Sequence, residues 1–389
     1  MQTSLYHLSK PRYEILDGLR GVAALLVVLF HLLETYSGGP ATQIINHGYL
    51  AVDFFFALSG FVIGYAYDDR RDNMSALSFF KRRLIRLHPM VVMGTLIGAS
   101  LYFFGQCEEF PLIGHVSGWK VFVAFLMGVL MIPCGPGMDI RGWEETNSFN
   151  GPNWSLTWEY VANILYILLL QRLPKTILTV LAVVAAFFTL DICLHWNCFG
   201  FLTDNHIPRM YTVIGGWSLT VEQIYIAATR LLFPFLSGLL LSRCGKFLAI
   251  KGGFWWCSLS LVVVFSIPCV GGEGSILNGY YNAACILILF PLLLMVGAGS
   301  KMVGERSMKI CNFLGEISYP LYITHFPLMY MQMNWVWSHT DAPFYAHIMV
   351  SGGCFVLSIM MAYACMQLYD KPVRKWLTEK FMMKNTPYS

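Results

Sequence analysis

The chain has 389 residues, of which 56% are hydrophobic and only 12% are Asp, Glu, Lys or Arg, where an ordinary soluble domain carries about a quarter charged residues. This composition excludes a disordered chain, a secreted disulfide-rich domain and a soluble cytosolic enzyme, and it points to an all-α bundle of membrane helices. The net charge of +4 comes from 26 basic against 22 acidic residues and includes no long basic tail of the kind that binds nucleic acid.

Apolar runs predict helices near residues 16–36, 49–67, 87–106, 119–133, 154–171, 175–194, 227–242, 254–270, 280–298, 313–333 and 345–368. Runs of about 20 residues can each cross a hydrocarbon core of roughly 30 Å. Loop charges then set the count, because Lys and Arg accumulate on the cytoplasmic side of short loops. Lys10 and Arg12, the stretch Arg70, Arg71, Lys81, Arg82, Arg83 and Arg86, and the groups Arg243–Lys246–Lys251, Lys301–Arg306–Lys309 and Lys371–Arg374–Lys375–Lys380 all fall on one side. The alternate loops 37–48, 271–279 and 334–344 hold no Lys or Arg. Both halves agree only with an even number of crossings. The shortest run, 119–133, gives about 22 Å of helix and falls short of the core, so it reads as re-entrant or interfacial. Ten crossings remain, with 1–15 and 370–389 as cytoplasmic tails of a single membrane domain spanning 1–389. The alternative is that 119–133 crosses and Arg172 and Lys175 lie outside. The least hydrophobic stretches, 134–153 and 195–226, read as polar covers over a site.

The eleven cysteines form no C-x-x-C pair and mostly lie inside apolar runs, where a thiol acts as a small hydrophobe. Cys193, His195, Cys198 and His206 are the nearest approach to a metal cluster, and their spacing is weak for zinc. No metal is expected. The first apolar run contains Arg20 and precedes no small-x-small site, so it reads as a retained helix and not as a cleaved signal.

Ionisable groups inside a span cost several kcal/mol on insertion scales and by default mark function or pairing. Arg20 and His31 are eleven residues apart on the first helix, within roughly 20° of three full turns, so they share a face about 16 Å apart along the axis. A cation at one end and a base farther along suit a long, anionic-ended substrate. His31 also has a purely structural reading, as an interhelical hydrogen bond. Asp53 and Glu159, counted inward from the outer ends of their helices, are expected at the depth of His31. Lys81, Arg82, Arg83 and Arg86 open the third helix at its cytoplasmic end, as a lipid-headgroup anchor or as a phosphate clamp aided by the free N–H groups of a helix start. Gly60 and Gly64 form a G-x-x-x-G suited to close helix packing.

At these residues the chain resembles the membrane-bound acyltransferase family 3, whose members transfer acetyl or other short acyl groups to sugar hydroxyls. The matches are the R-x10-H from Arg20 to His31, the G-x-x-x-V-D-F-F-F-A-L-S-G-F-V-I from Gly48 to Ile63, the R-x-x-R of Arg83 and Arg86, the W-S-L-T-W-E from Trp154 to Glu159, and the I-S-Y-P-L-Y-I-T-H-F from Ile317 to Phe326. W-S-L-T-x-E recurs from Trp217 to Glu222. The first copy precedes a full apolar span and is preferred for the site; the second equally suits a cover. Asp370 stands where the family usually has Glu before Lys-Pro.

The resemblance implies an acyltransferase of the bacterial cytoplasmic membrane. It would use acyl-CoA, most simply acetyl-CoA, as co-substrate, hold no resident cofactor, and acylate a glycan or other hydroxyl acceptor of the envelope. His31 is then the base, with Asp53 or Glu159 orienting its second ring nitrogen. Arg20, Arg83 and Arg86, helped by Lys81 and Arg82, would hold the CoA phosphates, and Tyr322 and His325 would be further substrate contacts or packing residues. Direct transfer and an acyl-histidine intermediate both stay open. The rival classes are a transporter or flippase of a glycan or lipid-linked intermediate and a scaffold subunit; the lack of an internal repeat speaks against the transporter.

Overall fold

The computed structural model describes residues 10, 12–38, 42–70, 72–272 and 274–382. Arg71 and the ends of both expected tails, 1–9, 11 and 383–389, lie outside the described residues. Among the described residues every regular element is helical. In chain order these are α1 (Glu14–Glu34), α2 (Ala51–Tyr67), α3 (Ala76–Leu101), α4 (Gly118–Leu130), α5 (Asn153–Leu168), α6 (Lys175–Cys193) and α7 (Val221–Cys244). There follow α8 (Gly253–Ser266), α9 (Ile276–Ala284), α10 (Phe290–Gly299), α11 (Glu305–Ser338), α12 (Phe344–Cys365) and α13 (Lys371–Met382). A π-helical turn, Cys285–Leu289, fuses α9 to α10, and a second, Met366–Asp370, fuses α12 to α13. All eleven expected helices are present.

The bundle has two unlike ends. At one, Arg243 of α7 ties Asp68 to the carbonyls of Leu170, Gln171 and Leu173, and Lys10 bonds the Tyr65 carbonyl; this is the basic end. At the other, His47 joins the Phe265 and Ile267 carbonyls to Asn278, and the two polar segments between α4 and α5 and between α6 and α7 come together; this is the cover end. α1, α2, α3, α5, α6, α7, α8, the α9–α10 pair, α11 and α12 run between the ends in alternation. Among the described residues seven helical runs are long and apolar enough to cross a bilayer alone.

Helix α4 does not run the length of the bundle. It starts at the cover end, capped by the Ser117 hydroxyl, and ends at a left-handed Met131. A Cβ at Gly128 would touch Thr95, which lies in the interior of α3. The chain then returns to the cover end, where Leu112 N–H donates to the Arg141 carbonyl and the Trp143 indole to Glu109. Thirteen residues give about 20 Å of helix, short of a hydrocarbon core of roughly 30 Å.

Small residues set the closest packing. Gly60 of α2 lies against the Phe235 backbone and Gly238 of α7 against the Ala57 carbonyl, so a Cβ at either would collide with main chain. Gly21 of α1 meets the Leu314 backbone of α11 in the same way, and Gly18 the Cys311 thiol. These contacts fix α1 beside α11 and α2 beside α7.

Two expectations about boundaries need correction. The third helix begins at Ala76, where the Ser75 hydroxyl accepts from Ser78 N–H, and so the basic stretch lies one to three turns inside it. An apolar run shows only the part of a helix that faces hydrocarbon, and the aqueous turn before it is invisible to that reading. The last helix, expected over 345–368, continues through the π-helical turn and stays helical to Met382.

Candidate active site

Three polar layers follow one another from the basic end to the cover end. In the first, Arg83 of α3 is buried and donates to Glu159 Oε1 of α5 at 2.5 Å and to Asn163 Oδ1 at 2.7 Å. The Ser59 hydroxyl of α2 donates to the same Glu159 oxygen at 2.7 Å. Arg86 is exposed to water yet densely surrounded by protein, within electrostatic reach of Arg83, Arg20 and Asp17. Arg20 makes a long contact of 3.4 Å with Asp17, one turn away on α1. Lys81 and Arg82 point outward and are exposed.

In the second layer Asp53 of α2 is fully buried and is clasped by Arg230 of α7, with Oδ2 to Nη2 at 2.7 Å and longer contacts to Nε. Arg230 also donates to the Tyr49 and Gly215 carbonyls and stacks over the Trp154 ring at 5.3 Å. A guanidinium fork and a carboxylate that satisfy each other this completely hold three elements together.

The third layer contains His31. Its Nδ1 is 3.0 Å from Glu34 Oε2, one turn along the same helix. The ring lies 5.8 Å from that of His325 at 29° and edge-on to Phe326 at 4.9 Å. His325 is wholly buried, and Tyr322 shares a 2.6 Å hydrogen bond with Ser155.

The expected arrangement therefore changes in two respects. Neither Asp53 nor Glu159 orients His31, because each is taken by an arginine, and Glu34 holds that place. The counting failed at Glu159 because α5 starts within the bundle: the turn before it is pinned by Asn150 Nδ2 to the Ile323 carbonyl, already level with His325. Five residues from that start reach the Arg83 layer. Arg230 and Glu34 were overlooked, although each left a signal. Arg230 is a lone cation within an apolar run, as Asp53 is a lone anion, and two such groups are expected to pair. His31 and Glu34 form an H-x-x-E at helical spacing.

The covers close over the third layer. In the first, Asp139 accepts from the backbone N–H groups of Arg141, Gly142 and Glu144, and the buried Arg141 guanidinium sits 3.6 Å over the Tyr330 ring. The Tyr330 hydroxyl donates to Glu145, whose carboxyl burial pushes up to about 7 against the lowering pull of that bond and of Arg141. In the second, His195 and His206 stack at 5.7 Å, and burial lowers the His206 pKa to about 4, against the opposing charge of Glu222. Thr146 N–H donates to the Trp217 carbonyl and joins the two covers. Glu34 lies within electrostatic reach of both Glu145 and Arg209. Among the described residues no three His, Cys, Asp or Glu side chains are placed to hold a metal ion.

A bundle of apolar helices with a part-buried imidazole–carboxylate pair between an arginine cluster and a polar cover is the architecture of a membrane-embedded enzyme of group transfer. The family model for acyltransferase family 3, described as an acyltransferase domain, matches residues 13–366, and the chain belongs to that family. It is an integral membrane acyltransferase; the transporter and scaffold readings find no support in this assignment. Similar proteins include acyltransferase MdmB of Streptomyces mycarofaciens, 26% identical over 81% of this chain and 78% of the relative. The O-acetyltransferase OatA of Staphylococcus aureus is 24% identical over 94% of this chain, which spans 58% of OatA. A protein of the picA locus of Rhizobium radiobacter is 33% identical over 40% of this chain and 81% of its own length. No solved structure matches.

Proposed function

We propose that the protein transfers an acetyl or other short acyl group from acyl-CoA, bound at the basic end, to a hydroxyl of a glycan or other envelope acceptor that enters beneath the covers. The observation that carries this reading is the His31–Glu34 pair, set on the same helix face as Arg20 and between the arginine cluster and the covers. Glu34 holds the proton on Nδ1, which leaves Nε2 as the base. Nε2 takes the proton of the acceptor hydroxyl as its oxygen attacks the thioester carbon. The tetrahedral intermediate then collapses, the carbon–sulfur bond breaks, and the imidazolium returns its proton to the departing thiolate.

Arg20 and Arg86, with Arg83 held ready by Glu159, supply the positive field for the CoA phosphates, and Lys81 and Arg82 flank the entrance. The basic end then faces the cytoplasm of a bacterial cell, in keeping with the bias of Lys and Arg in its loops. Transfer of an acetyl group to an oxygen is supported by the resemblance to the O-acetyltransferase OatA, and the acceptor is named here only by class. The test is His31→Ala in purified membranes, with transfer of labelled acetyl from acetyl-CoA to envelope glycans read by mass spectrometry. Transfer is expected to be lost while folded protein persists in the membrane; full activity would remove His31 from the chemistry.

A further inference from the structure

His325 has hydrogen bonds only within its own helix. Its Nδ1 is 3.0 Å from the Leu321 carbonyl and 2.9 Å from the Tyr322 carbonyl. Carbonyls only accept, so the ring proton is on Nδ1, and Nε2 carries a lone pair. That Nε2 is buried and has no hydrogen-bond partner. Both carbonyls belong to a continuous helix and are served by its own N–H groups, so the imidazole ties nothing to a neighbouring helix. A leucine would fill the position without an orphaned acceptor, which costs roughly 1–3 kcal/mol. The stability of the bundle gives no reason for a histidine here.

The surroundings limit what can satisfy it. His31 stacks on one side, Tyr322 lies 6.0 Å away towards the basic end, and Phe326 closes the cover side. The position is wholly dry, whereas the His31 side chain is 21% exposed. A dry, acceptor-only atom surrounded by aromatic rings suits an uncharged N–H on a slender chain. It does not suit a hydrated sugar carrying several hydroxyls, nor an ion.

We infer that His325 Nε2 accepts the hydrogen bond of the cysteamine amide N–H in the donor's pantetheine arm. This rests on acyl-CoA being the donor. The amide is separated from the thioester sulfur by two methylene groups, so with the thioester carbon beside His31 the amide lies one ring's breadth away, the separation of the two imidazoles. His325 is thus a donor-binding residue that sets how far the arm advances, and it leaves the proton chemistry to His31.

The experiment measures binding of S-acetyl-4′-phosphopantetheine, and of the analogue with an ester oxygen in place of the cysteamine N–H, to purified protein in nanodiscs. Wild type is expected to prefer the amide about tenfold, the worth of one buried hydrogen bond. His325→Leu should bind both alike, at the weaker affinity, and melt no lower than wild type. His325→Gln, which keeps an acceptor, should recover part of the preference and guards against a packing effect in the leucine variant. An amide-to-ester ratio that is the same in wild type and His325→Leu overturns the inference while leaving the donor reading intact. If wild type binds neither probe nor acetyl-CoA, the acyl-CoA reading falls and takes this inference with it.

Discussion

The sequence W-S-L-T-x-E occurs twice, and the two copies lie at neighbouring heights in the same bundle with opposite uses. In the first, the helix begins at Asn153, before the tryptophan, so Glu159 is carried two turns inward to Arg83. In the second, the helix begins after Thr220, whose hydroxyl accepts from Gln223 N–H, and Glu222 stays in the first turn. There it accepts from the backbone and hydroxyl of Thr203 and faces His206. Each tryptophan lies under an arginine, Trp154 under Arg230 and Trp217 under Arg209. The flanks make the difference. The Gln223 side chain accepts from Gly216 N–H and ties the turn before the helix to its start, which Tyr160 cannot do in the first copy. Gly216, at φ +110° with the Trp154 ring in the space a Cβ would need, keeps the chain before Trp217 out of the helix. A motif thus carries its chemistry only together with the residues that decide where its helix starts.

The largest expected effect separates the two glutamates. Glu159→Ala strands a buried guanidinium and should cost about 3–5 kcal/mol, whereas Glu222→Ala leaves a backbone N–H and a hydroxyl unserved and should cost about 1–3 kcal/mol. Thermal melting in detergent checks both, and equal losses would break the comparison.

Next in size is the pH response of the two covers. His206, lowered to about 4 when folded against 6.5 unfolded, contributes stability that is complete above 6.5 and is lost as pH falls towards 4. Glu145, raised to about 7 against 4.5, contributes stability that is complete below 4.5 and is lost as pH rises through 7. Each amounts to up to about 3 kcal/mol, and in wild type the two slopes oppose over most of their range. Glu145→Gln should therefore reveal melting temperatures that rise from pH 4 to 6.5, and His206→Gln melting temperatures that fall from pH 4.5 to 7. The same slope in both variants would show that neither group governs its cover. The smallest effect concerns the cap alone: Thr220→Ala should cost about 1 kcal/mol of melting stability, and Thr157→Ala, at the matching place in the first copy, less than half that.

Periodicity and charge were enough to read the bundle. Every helix but α13 could be found from apolar runs, and the shortness of α4 was legible in the run 119–133. Of the residues that R-x10-H, R-x-x-R and the first W-S-L-T-x-E name, Arg83 and Trp154 are buried, Arg20, His31 and Glu159 are half-buried, and Arg86 is exposed. What the sequence could not supply was the pairing between elements. Asp53 and Arg230 are 177 residues apart, and nothing local tells a lone carboxylate which lone cation it will meet. Depth was misjudged for a related reason: counting from a helix start assumes that the start is at the membrane surface, and the return of the chain from α4 places Asn153 inside. The tautomer of His325 was also out of reach, since it follows from two carbonyls of its own turn whose geometry appears only once the helix is built.

The last helical run, Phe344–Met382, has 39 residues, a contour of about 58 Å at 1.5 Å per residue. Roughly half of that is enough for the hydrocarbon core. The remainder, with Lys371, Arg374, Lys375 and Lys380 along it, packs against α3 at the basic end, where Lys371 pairs with Glu316 of α11. The last helix thus works as a buttress: it braces the start of the arginine-bearing helix against the one that carries His325.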